Sequence, residues 1–269
     1  STQKNIGKLL SYGNTLIKPA HGELASGLIG EGRMAEPEDI FDFIVSELNS
    51  AKPLSGKNVL VTAGPTFEAI DPVRFIGNHS SGKMGYALAE TLAQNGAHVT
   101  LVSGPTHLKV NHKNINVVPV ISAKEMFDNC IKFFPAVDLA VMSAAVADYT
   151  PVEVATQKIK KTEPEFSIAL TKTKDILAEL GKMKKPSQLL VGFALETNNE
   201  LEHAKGKLEK KNLDFIVLNS LNDNGAGFQG DTNKITILDK KGQTELFELK
   251  TKKEVAQDIV NKILSLIHA

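Results

Sequence analysis

Asn58-Val-Leu-Val-Thr-Ala-Gly64 is a short β-branched run ending in glycine, the form of a buried strand in a parallel sheet whose carboxyl end opens into a loop. From Gly82 to Gly96 the apolar residues Met84, Ala87, Leu88, Leu92 and Ala93 recur at helical spacing, and Gly96 supplies the stop. Ala97-His-Val-Thr-Leu-Val-Ser-Gly104 then repeats the strand-to-glycine form. Strand, loop, helix and strand in that order make a βαβ unit.

The same grammar extends to the carboxyl end. A strand at Asn116 to Val120 precedes a helix from Ala123 to Phe133, and Asp138 to Ser143 is another buried strand. Strands at Gln188 to Phe193 and Leu213 to Asn219 flank a Lys/Glu-rich helix from Asn199 to Lys211. Lys234 to Leu238 and Glu245 to Leu249 read as a hairpin across Lys240-Lys241-Gly242, and a helix from Lys253 to Ile267 closes the chain. The predicted fold class is α/β: a doubly wound, mainly parallel, Rossmann-like sheet with a small β-hairpin extension.

Towards the amino end, Asn49 to Gly56 is a polar Ser/Pro/Gly run that reads as a linker. It separates residues 1–50 from one large domain at 51–269. The leading segment holds a helical pattern at Asn5, Ile6, Leu9 and Leu10, a Gly-rich stretch from His21 to Gly32, and an amphipathic helix from Pro37 through Leu48.

The 269 residues carry 31 Lys plus Arg against 31 Asp plus Glu, so the formal net charge is zero. Binding to nucleic acid rests on a basic excess that neutralises phosphates, and none exists here. Hydrophobic content of 42% with 23% charged residues is that of a globular chain. No apolar stretch reaches the roughly 20 residues that span a bilayer. A lone cysteine, Cys130, excludes an internal disulfide framework and fits a reducing cytoplasm. The His residues are scattered and form no metal-ligand spacing. The opening Ser-Thr-Gln in place of Met is what a fragment or processed chain would show.

Three loops fall where such a fold places its ligand. In Thr62-Ala-Gly-Pro-Thr66, Gly64 either lets a ligand approach the backbone or serves only the turn, and Thr66 offers a hydroxyl. Gly77-Asn-His-Ser-Ser-Gly-Lys-Met-Gly85 contains G-x-x-x-x-G-K, but Met84 stands where a P-loop needs Ser or Thr for magnesium. What remains is an anion site at a helix N-terminus, built from Ser80, Ser81, Gly82 and Lys83. Asn78 could donate its amide to a carboxylate or oxyanion. In Ser143-Ala-Ala-Val-Ala-Asp148-Tyr149 the small residues, Ala144 among them, let a ligand lie against the backbone. Asp148 either contacts that ligand or caps a helix.

Lys158-Ile-Lys-Lys161 is a basic cluster, either a solvated face or a source of phosphate neutralisation. Lys207 and Lys211 share one helix face. Phe193 is either core or a platform for a base, and the polar loop at 227–230, with Asp231 and Asn233, could cover a site or meet a second subunit. No Ser/His/Asp triad is legible, and no G-x-G-x-x-G follows the first strand, which excludes an NAD-type fingerprint. The residues point to an enzyme of nucleotides or phosphorylated ligands that works by positioning and charge stabilisation.

Ala63-Gly-Pro-Thr66, Asp71-Pro-Val-Arg74, Asn78-His-Ser-Ser-Gly-Lys-Met-Gly85, Ala144-Ala-Val-Ala-Asp-Tyr149, Lys158-Ile-Lys-Lys161 and Val191-Gly-Phe-Ala-Leu-Glu-Thr197 resemble phosphopantothenoylcysteine synthetase from about residue 56 onward. In bacteria this synthetase is commonly the C-terminal half of a bifunctional coenzyme A biosynthesis protein whose other half is an FMN-dependent decarboxylase. Gly22 to Pro37 is similar to that decarboxylase's tail, with Ser26 where its proton-donor cysteine usually stands. FMN is therefore not expected in this chain.

The resemblance implies joining of 4'-phosphopantothenate to L-cysteine through an acyl-cytidylate, with CTP as the nucleotide. It places Asn78 on the carboxylate or acyl-phosphate and Lys158 near the phosphates. Asp148, Phe193, Lys207 and Lys211 are then CTP contacts, with Ala144 packed close. Lys174-Asp175-Ile176-Leu177 matches a cytidine-recognising stretch, although many members have proline where Lys174 stands. Magnesium would ride on the triphosphate, with no metal site built from protein alone. The family also implies a homodimer through residues 212–249. The alternative is a catalytically silent relative acting as a binding or regulatory subunit.

Overall fold

The structure, a computed structural model, describes the chain except residues 1, 13, 24–26, 28, 51, 161–165, 197–199, 221–229 and 268–269. The chain divides into two compact units, Ser1–Lys52 and Pro53–Ala269.

The smaller unit runs α1 (Thr2–Ser11), β1 (Ala20–Glu23), β2 (Ile29–Arg33) and α2 (Pro37–Ser50). Its Gly-rich stretch is an antiparallel hairpin of β1 and β2. Glu38 and Asp39 occupy the first turn of α2, where carboxylates complement the helix dipole. Ser26 lies outside the described residues.

In the larger unit the chain forms β3 (Asn58–Ala63), β4 (Phe67–Ala69), β5 (Phe75–Gly77), α3 (Lys83–Gln94), β6 (His98–Ser103), β7 (Ile115–Pro119) and α4 (Ala123–Phe133). It continues as β8 (Leu139–Met142), β9 (Tyr149–Pro151), β10 (Leu170–Lys172), α5 (Ile176–Met183), β11 (Leu189–Glu196) and α6 (Glu200–Lys210). Last come β12 (Phe215–Ser220), β13 (Thr232–Asn233), β14 (Ile235–Asp239), β15 (Thr244–Leu246), β16 (Lys250–Thr251) and α7 (Lys252–Ile267). The run read as a linker is in part anchored: Leu54 is fully buried and its N–H donates to the Asn95 carbonyl at 2.9 Å.

The main sheet has eight strands in the order β15-β14-β12-β11-β8-β3-β6-β7. The pairs from β12 through β11, β8, β3 and β6 to β7 are all parallel. The β14–β15 hairpin adds to β12 antiparallel. From β3 the chain steps outward to β6 and β7, then returns to place β8 on the other side of β3. That reversal makes β3 and β8 the topological switch point, where the crevice beyond the strand ends is open to a ligand.

Each strand feeds two cores because alternate side chains point to opposite faces. Val59 and Val61 of β3 join Leu88 and Leu92 of α3 with Ile259 and Ile263 of α7 on one face. Leu60 joins Met126 of α4, Leu180 of α5 and Leu208 of α6 on the other. Full burial of each such Leu or Ile stabilises by about 1.5–3 kcal/mol, which is why these strands read as continuous apolar runs.

Candidate active site

The loops beyond β3 and β8 are laced together. Pro65 and Ala145 form a parallel bridge, and the Ala145 N–H donates to the Gly64 carbonyl at 2.9 Å. Thr66 is fully buried, and its hydroxyl accepts from the Ala147 N–H at 2.9 Å. That hydroxyl is therefore structural. Gly64 also stands behind the site. Its φ is +78°, and a Cβ there would lie 3.1 Å from the Gly104 carbonyl oxygen, so glycine lets three loops converge.

Gly82, with φ of +80°, turns the chain into α3. Its N–H meets the Ser80 hydroxyl at 3.3 Å, while the Thr106 hydroxyl donates to the Ser81 carbonyl at 3.0 Å. The Asn78 amide donates to the Ala145 and Val146 carbonyls at 3.0 and 3.2 Å, tying this loop to the one after β8.

Two cavities open over the strand ends. The first, of about 500 Å³, is bounded by Asp148, Lys174 to Leu177, Phe193, Lys207 and Lys211. The second, of about 370 Å³, is bounded by Asn78 and Ser80 to Gly85 on one side and by Asn219, Asn233 and Lys252 on another. Ala144, Val146, Asp148, Phe193 and Lys207 line both, so the cavities adjoin.

Asp175 caps α5, accepting from the Ala178 N–H at 3.0 Å. Lys211 lies 2.8 Å from the same carboxylate. Burial works to raise the Asp175 carboxyl, but the Lys211 ammonium and the Ala178 N–H outweigh it and hold it below the ordinary carboxylate range. The Lys174 ammonium sits 4.7 Å from the centre of the Phe127 ring, a cation–π contact that stands where proline would lack any charge.

A match to the DNA/pantothenate metabolism flavoprotein C-terminal domain extends over residues 54–267. The chain belongs to this family. That span coincides with the larger unit and takes in every residue lining the two cavities. The chain is 55% identical over 272 residues to a protein of an unknown prokaryotic organism named cysteine/cysteine sulfinic acid decarboxylase, covering 100% of this chain and 76% of that one. It is 47% identical over 263 residues to the coenzyme A biosynthesis bifunctional protein CoaBC of Haemophilus influenzae, covering 98% of this chain and 65% of the relative. The chain thus spans slightly less than two thirds of that CoaBC protein. A crystal structure of a CoaBC C-terminal domain superposes with a TM-score of 0.69 at 44% identity, over 81% of this chain and 99% of that one.

Of the residues this flavoprotein-domain chain offers by sequence, the fold gathers Asn78, Ser80, Ser81, Gly82, Ala144, Asp148, Phe193 and Lys207 around the second cavity. It gathers Lys174, Asp175, Ile176, Leu177 and Lys211 around the first. Asp148 caps no helix, because β9 follows it. Lys158 and Lys160 are exposed and line neither cavity. Their segment is held instead by Asp71, which accepts from the Ile159 N–H at 3.1 Å, and by Arg74, which donates to the Ile159 carbonyl at 3.3 Å. Lys161 and residues 227–229 lie outside the described residues. Asn233, read from the sequence with the polar loop that could cover a site, lines the second cavity, whereas sequence reasoning passed over Lys172, Asn219 and Lys252, which line the cavities from distant parts of the chain. No local motif marks them.

No helix among the described residues is long and apolar enough to cross a membrane, and none of them form a cluster of three or more His, Cys, Asp or Glu placed to hold a metal.

Proposed function

We propose that this chain is a phosphopantothenate-cysteine ligase that activates 4'-phosphopantothenate with CTP in coenzyme A biosynthesis. The observation that carries the reading is the pair of adjoining cavities at the switch point, one edged by Lys174 to Leu177 and the other by the Asn78 to Gly82 loop. A two-substrate condensation needs two such compartments meeting at one reacting centre.

The nucleoside occupies the first cavity, with Phe193 as the face on which the base stacks. The phosphates extend past Lys207 towards the N-terminus of α3, whose free N–H groups and dipole favour anions. The pantothenate carboxylate oxygen attacks the α-phosphorus and pyrophosphate leaves. The cysteine amine then attacks the acyl carbon, losing a proton as CMP departs. Asn78 meets the carboxylate or acyl-phosphate by exchanging one of its carbonyl partners for the substrate oxygen. Lys158 joins by movement of its exposed segment. Magnesium travels on the triphosphate, with Asp148 the carboxylate that both cavities share; its hard oxygen donors suit that ion. FMN has no place in this reading, which concerns residues 54–267, and the setting is the cytoplasm. The chain works as a homodimer joined through residues 212–249.

Two rivals have specific support. The name of the 55% identical relative points to amino-acid decarboxylation, and the exposed Lys158 leaves room for a catalytically silent member. One assay separates all three. Folded protein is incubated with magnesium, 4'-phosphopantothenate, L-cysteine and either CTP or ATP. Release of CMP and pyrophosphate with CTP supports the ligase; carbon dioxide from cysteine alone supports the decarboxylase; neither product sinks both enzymes.

A further inference from the structure

The β4–β5 hairpin joins two components of the proposed site. At its root the Phe67 N–H donates to the Ile121 carbonyl at 2.8 Å, and the buried Glu68 carboxylate accepts from the Ala123 N–H at 2.8 Å. The stacked rings of Phe67 and Phe75, 3.9 Å between centres, lock its two strands together. β5 leads directly into Asn78. At the other end of the hairpin, the turn from Ile70 to Arg74 holds the segment that carries Lys158.

That hold is built on Asp71, whose side chain is fully buried. Its Oδ1 accepts from the Val73 and Arg74 N–H groups, each at 2.8 Å, and so folds the turn. Its Oδ2 accepts from the Arg74 guanidinium at 3.0 Å and from the Ile159 N–H at 3.1 Å, 88 residues further along the chain. A carboxylate offers about four lone-pair positions, and all are taken. The same guanidinium donates to the Ile159 carbonyl at 3.3 Å, so one ion pair grips both main-chain polar groups of Ile159. A second tie runs from the Ala155 N–H to the Ile70 carbonyl at 3.0 Å.

A turn of this kind needs one acceptor, which an Asn or Ser side chain supplies without the cost of burying a charge. The second oxygen of Asp71 serves Ile159 and Arg74 instead. Lys158 and Lys160 flank the gripped residue, and both are exposed while Ile159 is half-buried. The grip therefore acts on the main chain and leaves the two side chains in solvent. Ala155 and Ile159 bracket Lys158, which confines its approach to the site to the reach of its own side chain and to motion of the hairpin. Through β5, Asn78 belongs to the same motion.

We propose that Asp71 is a positioning residue: with Arg74 it fixes the Ile159 main chain so that Lys158 and Asn78 reach the same substrate together. The proposal rests on the ligase reading and deepens it, because it gives the means by which a lysine outside both cavities is delivered to them.

Asp71→Asn is a selective probe. Its amide oxygen keeps the turn, while the NH2 in place of Oδ2 cannot accept from Ile159 or Arg74. Amide hydrogen exchange across residues 155–160 of the full chain should speed up by about tenfold or more at Ile159. Turnover to CMP and pyrophosphate should fall by about tenfold or more, with CTP affinity within about twofold of the parent. On a Lys158→Met background the same substitution should leave turnover unchanged, because a residue acting through Lys158 then has nothing to position. Equal loss of turnover on both backgrounds, or a matching loss of CTP affinity, marks damage to the fold and overturns the proposal. Unchanged exchange at Ile159 overturns it as well. Arg74→Lys keeps the charge but not the fork, and decides by the same criteria where Asp71→Asn does not fold. If the unmodified chain releases neither CMP nor pyrophosphate, the ligase reading fails and takes the positioning role with it. Unchanged exchange or additive losses overturn the positioning role with the ligase reading intact.

Discussion

Lys211 Nζ lies 2.8 Å from the Asp175 carboxylate, joining the residue after α6 to the cap of α5. Both line the first cavity, so the contact sets the width of that cavity's edge. It depends on Gly181, where a Cβ would lie only 2.1 Å from the Lys211 carbonyl oxygen. Asn212, in the left-handed region with φ of 51°, completes the junction by donating its amide to the Gly181 carbonyl at 3.0 Å.

Gly181→Ala therefore tests that junction. Alanine improves helix propensity by about 1 kcal/mol, but overpacking against rigid backbone costs about 1–3 kcal/mol. At 2.1 Å the second effect wins. With the overpacking cost at the upper end of its range, the expected outcome is a net loss of about 2 kcal/mol by urea unfolding, together with weaker CTP binding. A variant as stable as the parent would show that the helices separate freely.

Asp214 is 3% exposed and receives Lys184 and Lys240, each at 2.8 Å, and the Leu190 N–H. Asp214→Ala leaves the buried Lys184 ammonium without its counter-charge. We expect a loss of about 3 kcal/mol, read by thermal or urea unfolding.

The same carboxylate predicts a pH dependence. Burial works to raise the Asp214 carboxyl, but Lys184, Lys240 and the Leu190 N–H outweigh it and hold it below the ordinary value. The unfolded state therefore binds the proton first as pH falls. The stabilisation is full above the unfolded value of about 3.9 and is lost as pH drops through the folded one. Unfolding curves from pH 6 downward (roughly, on that scale) should show a steeper decline for the parent than for Asp214→Asn.

On the proposed ligase reading, Asn78→Ala removes a donor at the reacting centre while leaving the proposed nucleotide edge at Lys174 to Leu177 intact. The expected result is CTP affinity within about twofold and turnover slowed by about 100-fold. Equal loss of nucleotide affinity would contradict the assigned role. The loss of two loop-to-loop hydrogen bonds is controlled by measuring stability alongside.

Cys130 sits fully buried beneath the sheet, and burial pushes its thiol up to about 12. It should resist thiol reagents in the folded protein at neutral pH and react on unfolding, because the thiolate is the nucleophile. Rapid labelling of native protein would show that the α4 face opens.

Legibility followed element length and periodicity. β3, α3 and β6 were readable because a strand buried on both faces must be apolar throughout and a surface helix must repeat near 3.6 residues. The hairpins β4–β5 and β9–β10 were not, since strands of three residues have no period to detect. The eight-residue α5 was concealed in a segment read as a ligand stretch, although its Asp175 cap was available. Asn78 and the loop to Gly82 were visible through glycines and hydroxyls packed into one local run. Asn219 and Lys252 were not, because each is ordinary in its own neighbourhood, and Asn233 was visible only as part of a polar loop.

The order of strands and helices, the Asn78 to Gly85 loop and the family likeness were decided by the sequence, since each depends on neighbours along the chain. Which strands stand side by side, and hence which loops meet, belonged to tertiary structure. Returning β8 to the far side of β3 creates the crevice. Carrying α7 back against α3 brings Lys252 to Lys83. Residues so far apart in the chain meet only when the two hydrophobic faces of the sheet are both covered, and Asp231, which pairs with Lys83, supplies the counter-charge there.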